Sequence, residues 1–137
     1  MTSSSVLRSK INKGEITILH VDDDEGMLQL TKAQLERSHE RFQVYSLTSG
    51  IHAIESLQHQ TFDLIITDLN MPMIDGFELI EAVREQDPAI PIVVYSSRPR
   101  SDFCLAESVG ADGFVQKGLD FFDKLQELVN LIKCLVK

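Results

Sequence analysis

The chain has 137 residues, 43% of them hydrophobic and 25% charged, which fits one domain able to bury a single sizeable core. Its formal charge of −8 excludes the basic face that a grip on nucleic-acid phosphates requires, while leaving protein partners open. No apolar run approaches the roughly 20 residues of a membrane helix, and the Met1-Thr2-Ser3-Ser4-Ser5 start has no signal-peptide core, so a soluble cytoplasmic protein is expected.

Residues 1–14 are polar, rich in Ser, Lys and Arg, and read as a flexible extension. Residues 15–21 (E-I-T-I-L-H-V) are apolar and β-branched, which predicts a central strand covered on both faces. It ends in Asp22-Asp23-Asp24-Glu25, where Asp24 is the expected cap of a helix with Met27, Leu28, Leu30, Thr31 and Leu35 as its apolar stripe. Phe42–Leu47 is a short second strand, and Ser49 caps a helix carrying Ile51, Ala53, Ile54 and Leu57. The run from Leu64 to Thr67 is a third, buried strand that delivers Asp68 to its C-terminal end. The chain then turns through Asn70, Pro72 and Asp75-Gly76 into a helix with Phe77, Leu79, Ile80 and Val83, which stops before Pro88. Pro91–Tyr95 is a fourth strand closed by Ser96-Ser97, and a helix from Ser101 or Asp102 to Val109 is closed by Gly110. Gly113–Gln116 is a short fifth strand ending at Lys117. A last helix, from about Asp120, places Phe122, Leu125, Leu128, Val129, Ile132 and Val136 on one face.

Five strands alternating with five helices predict a doubly wound α/β fold. Right-handed crossovers leave few wirings, and the common one for five parallel strands is the flavodoxin-like order 2-1-3-4-5. Ligands in such sheets bind at the carboxyl ends of the strands. There the wiring gathers Asp22 and Asp23 from strand one, Asp68 from strand three, Ser96 from strand four and Lys117 from strand five.

Three close carboxylates repel one another and need cations to offset them. Lys117 is one; a hard divalent cation such as Mg2+ or Mn2+ is the natural second, because it takes oxygen ligands and tolerates retained waters. A carboxylate so placed is a candidate nucleophile toward a phosphoryl group, with metal, lysine and hydroxyl around the equatorial oxygens. Taken singly, each group has a plainer role: a cap or turn for an Asp, an ordinary turn for Ser96-Ser97, a solvated surface group for Lys117. Their joint arrival at four strand ends carries the functional reading. His20 reads as a satisfied core histidine, and His39, His52 and His59 form no metal spacing. Met71 and Met73 read as loop packing. Cys104 and Cys134 lie in helical stretches without metal-ligand spacing and are expected to be buried or half-buried free thiols.

These motifs resemble the receiver domain of response regulators, the chemotaxis-regulator type included. The resemblance is carried by Ile18-Leu19-His20-Val21-Asp22-Asp23-Asp24, by Ser49-Gly50-x-x-Ala53, and by Asp63 through Pro72 with Asp75-Gly76. Pro91 through Ser96, and Gly110-Ala111-x-Gly113-Phe114-x-x-Lys117, complete it, so that residues 15–137 are the expected receiver domain. It implies a two-component phosphorelay in which Asp68 accepts a phosphoryl group from phosphohistidine on a sensor kinase or a histidine phosphotransfer protein. It further implies Asp22, Asp23, Asp68 and the Asn70 backbone carbonyl around the metal, Ser96 and Lys117 on the phosphoryl group, and Ser96 with Phe114 as the switch pair. The implied output surface comprises the helix after Ser101, the Gly113–Gln116 strand and the helix after Asp120, facing a downstream protein or a second copy. Asn70 and Arg98 flank the path of attacking water and are expected to tune phosphoryl lifetime.

Two positions depart from the family pattern. Gly118 follows Lys117 where proline is usual, which leaves the aim of Lys117 less constrained. Ser96 replaces the commoner threonine and keeps the hydroxyl. A pseudo-receiver that binds partners without phosphorylation is the alternative motivated by Gly118. A haloacid-dehalogenase-like phosphatase fits less well: the acids after strand one miss the last position of its motif, and no cap segment is available.

Overall fold

The computed structural model describes residues 14–136; the expected extension therefore lies, except for Gly14, outside the described residues. Five strands form one parallel sheet in the order β2-β1-β3-β4-β5: β1 Ile16–Val21, β2 Phe42–Leu47, β3 Leu64–Thr67, β4 Ile92–Ser96 and β5 Gly113–Gln116. The helices between and after them are α1 Glu25–Ser38, α2 Gly50–His59, α3 Gly76–Gln86, α4 Asp102–Ser108 and α5 Phe121–Leu135. This is the flavodoxin-like doubly wound architecture expected from the alternation of apolar runs and helical stripes.

The alternation of side chains along each strand divides the core. Ile16 and Ile18 of β1 pack with Leu35 of α1 and with Leu125, Leu128, Val129 and Ile132 of α5 on one face. Leu19 and Val21 pack with Ala53, Leu79, Ile80, Val83 and Ala106 of α2, α3 and α4 on the other. The central strands β3 and β4 are buried along their whole length, which explains their unbroken apolar runs.

Local chemistry starts three helices where the side chains predict. The Asp24 carboxylate accepts the Met27 N–H at 3.1 Å, and the Ser49 hydroxyl accepts that of His52 at 3.4 Å. At α3, Asp75 accepts from Glu78 N–H at 2.9 Å while the Glu78 side chain accepts from Asp75 N–H at 3.0 Å, a reciprocal capping box. The α4 helix differs. It is seven residues long, starts at Asp102, and has no side-chain cap bond from Ser101.

Six surface assignments differ from the sequence reading. Leu30, Ile51 and Phe122 face solvent, Phe122 at 67% exposure, because the α1, α2 and α5 stripes are narrower than the runs of apolar letters suggest. In α5 the partly buried Phe121 packs against the core in place of Phe122. Cys104 and Cys134 are free, as expected, but exposed. Met73 is 85% exposed and adopts φ 72°, whereas Met71 does pack, partly buried, against the core. Among the described residues, no helix is long and apolar enough to cross a membrane.

Candidate functional site

Parallel pairing sets the site. Val21 is in register with Thr67, so Asp22 and Asp68 leave adjacent strands side by side. The Asp68 N–H donates to the Val21 carbonyl at 3.0 Å, and the Asp22 N–H to the Leu47 carbonyl at 3.1 Å, which fixes both backbones to the sheet edge. Gly76 closes the turn from below. A Cβ there would stand 2.2 Å from the Asp68 carbonyl oxygen and 2.7 Å from Leu69 Cα, so only glycine permits this approach. Gly76→Ala is expected to cost about 3 kcal/mol of stability through overpacking against backbone, read as a lowered urea midpoint at unchanged m-value.

Asp22, Asp23 and Asp68 each offer a carboxylate oxygen, and these atoms lie within 4.8 Å of one another. Asp22 is fully buried and Asp68 nearly so, while Asp23 is exposed. The Lys117 ammonium donates to Asp22 Oδ2 at 2.7 Å and to Asp68 Oδ2 at 3.1 Å. The other oxygen of Asp68 accepts the backbone N–H groups of Leu69 at 2.7 Å and Asn70 at 3.3 Å. Asp22 Oδ1 accepts the Asp24 N–H at 2.9 Å.

Electrostatics match this packing. Burial pushes the Asp22 carboxyl above the usual carboxylate range, although its bond from Lys117 and its bond from the Asp24 N–H pull the other way. Burial alone would lower the Lys117 ammonium; the Asp22 bond and the charges of Asp68 and Asp22 outweigh it, so the lysine stays charged more tenaciously than in water. The cluster thus holds three acids against one ammonium. Hard oxygen donors at this spacing, one of them exposed, fit a small divalent cation.

Ser96 is fully buried at the end of β4, and its hydroxyl accepts the Arg98 N–H at 3.3 Å. The Lys117 N–H donates to the Ser96 carbonyl at 2.8 Å, tying the ends of β4 and β5 together. No cis peptide bond occurs among the described residues, yet the Lys117 ammonium reaches both acids with Gly118 following it. Phe114 is buried in β5, its ring 5.3 Å from that of Phe103 in α4.

His20 corrects one expectation. It is fully buried, as a core residue should be, but neither ring nitrogen has a hydrogen-bond partner among the described residues. A central strand covered on both faces leaves it little polar company. Burial first, and the Lys117 charge second, lower its pKa to about 3 against a smaller opposing effect of Asp68.

Arg98 is more deeply embedded than its place in a turn implies. Its Nε donates to Asp102 at 2.7 Å and its Nη1 to the Asn70 side chain at 3.1 Å; the guanidinium lies 5.5 Å from the centre of the Phe77 ring. Gln116 donates to its carbonyl at 3.1 Å. Asp102 and Gln116 carry no motif; the one sequence signal was an acid four residues after an arginine at a helix start.

A family model described as the response regulator receiver domain matches residues 18–132. The heme response regulator HssR of Staphylococcus epidermidis is 33% identical over 123 residues, which cover 89% of this chain and 52% of that protein. The chain spans about half the length of the curated relatives it matches. Among solved structures, the response regulator protein TrrA of Thermotoga maritima, in complex with Mg2+-BeF, aligns at a TM-score of 0.74 and 27% identity, covering 85% of this chain and 98% of that one. The chemotaxis protein CheY4 of Vibrio cholerae aligns at 0.78 and 26% identity, covering 89% and 99%.

Proposed function

Since the chain belongs to the response-regulator receiver family, we propose that residues 15–137 act as a phosphorylation-controlled switch with Asp68 as phosphoacceptor. The observation that carries this reading is the joint placement of Asp22, Asp23, Asp68 and Lys117: three acids within reach of one cation, and an ammonium already on two of them. The donor is phosphohistidine on a sensor kinase or a histidine phosphotransfer protein. Membership of the family supports that class of partner.

In the transfer, an Asp68 carboxylate oxygen attacks phosphorus while the donor's P–N bond breaks, and the bonding pair stays on the imidazole nitrogen, which takes up a proton. Lys117 draws charge from the equatorial oxygens, and Ser96 turns its hydroxyl toward them. Asp22, Asp23, Asp68 and the Asn70 carbonyl would hold Mg2+ or Mn2+. That ion, when bound, supplies the additional positive charge that lets an anionic donor approach three acids.

The acceptor state is read out through Ser96 and Phe114, at a surface made of α4, β5 and α5 for a downstream protein or a second copy. The added phosphoryl charge competes for the Ser96 hydroxyl, and the equilibrium moves only as far as those contacts differ between states. Intact-mass measurement after treatment with a small phosphodonor and Mg2+ tests the reading. One phosphoryl adduct is expected, not formed when the metal is chelated before the donor is added, and absent from Asp68→Asn. An unmodified wild-type chain, or an adduct that survives the substitution, overturns it.

A further inference from the structure

We propose that Arg98 is a positioning residue through which the state of the acidic site reaches the first turn of α4. The inference rests on the proposed role of Asp68 as the group that changes state. On the site side Arg98 has two links. Its N–H donates to the hydroxyl of Ser96, and its Nη1 donates to the side chain of Asn70, whose own N–H is bonded to Asp68. On the far side it also has two: Nε to Asp102, the first residue of α4, and its carbonyl to Gln116 of β5.

The guanidinium makes this a coupling rather than a collection of contacts. Nε and Nη1 belong to one rigid plane, so a shift of Asn70 that draws Nη1 with it must also turn Nε on Asp102. Turning the Ser96 hydroxyl toward a phosphoryl group withdraws the acceptor of the Arg98 N–H as well. Both site-side links are therefore disturbed by one event at Asp68.

The helix at the other end is poorly held by its own residues. It has no side-chain N-cap, and two reverse-turn bonds, Asp102 N–H to Pro99 and Phe103 N–H to Arg100, lead into it. Asp102 is its sole acidic first-turn residue, and that carboxylate is bonded to Arg98. Phe103, the next residue, contacts Phe114 of β5. Loosening Arg98 thus loosens the α4 start and the ring pair beside it.

Amide exchange at Asp102 and Phe103, with and without beryllofluoride plus Mg2+, tests this, with bound fluoride followed separately by fluorine NMR. In the wild type the ligand is expected to change exchange of both amides by about fivefold or more, the size of a modest coupling. In Arg98→Ala both amides exchange faster without ligand, and the ligand-induced change falls below about twofold while fluoride still binds. Asp102→Asn, which keeps Arg98 but removes the charged end of the link, gives the same loss. An undiminished ligand-induced change in both variants overturns the coupling. No bound-fluoride signal in the wild type overturns the reading of the site itself and the coupling with it.

Discussion

Lys117→Met is expected to lower stability by about 3 kcal/mol near neutral pH in the absence of divalent cations, because it strands a buried carboxylate. Asp22 is fully buried and is paired with the Lys117 ammonium, its one side-chain cation among the described residues, and Asp68 shares it. Methionine keeps most of the aliphatic length, so the loss reports on charge more than on packing. The deficit is expected to shrink as Mg2+ is added, since the cation replaces the missing positive charge at the same acids. Urea unfolding with EDTA and with saturating Mg2+, for wild type and variant, measures both effects. Equal stability of the two proteins in EDTA would show that the ion pair contributes nothing net. The same variant should form the phosphoryl adduct at least about 100-fold more slowly, the usual effect of removing one group that stabilises transition-state charge.

His20→Leu should act in the opposite direction on stability. The imidazole is buried with neither nitrogen paired, and leaving such a group unsatisfied costs about 1–3 kcal/mol. An apolar side chain of similar size removes that cost, so the variant should be at least as stable as wild type near pH 7. The pH dependence follows from the lowered pKa. In the folded chain His20 takes a proton only near about 3, whereas in the unfolded chain it does so near 6.5. Between those values the unfolded state binds more protons, so acid favours unfolding and the wild type loses stability as pH falls below 6.5. The advantage of the variant should grow by about 2 kcal/mol between roughly pH 7.5 and roughly pH 5, and continue to grow toward pH 3. Denaturant unfolding of both proteins across that range gives the difference directly. A gap that does not change with pH would mean that His20 takes up its proton at the same pH in the folded and the unfolded chain, contrary to its burial.

The two substitutions separate the roles of neighbouring polar groups on the same strands. Asp22 and His20 lie two residues apart on the path out of β1 and are equally buried. The carboxylate meets an ammonium at 2.7 Å, while the imidazole nitrogens have no hydrogen-bond partner among the described residues. One is therefore part of the site's charge balance, and the other is a cost carried by the fold beside it.

Much of this was legible along the chain. Strand and helix order follow from apolar runs and periodic stripes, and right-handed crossovers then place Asp22, Asp23, Asp68, Ser96 and Lys117 at one sheet edge. Asp24 and Ser49 cap their helices as read, because each is a short oxygen-bearing side chain just before a helical stripe, a purely local relation; Asp75, read as a turn residue, caps its helix for the same reason. What depended on distance in sequence was not legible. The Lys117 contact with Asp22 spans 95 positions, and nothing local to Gly118 says where that ammonium points. Arg98 meets Asn70 of the β3–α3 turn, Phe77 of α3, Asp102 of α4 and Gln116 of β5, and of these only Asp102, four residues on, is signalled locally. The unpaired state of His20 and the exposure of Phe122 belong to the same class. Identity and order of residues are local quantities that a chain carries by itself; burial, pairing and aim are sums over neighbours that only the packed sheet and helices bring together.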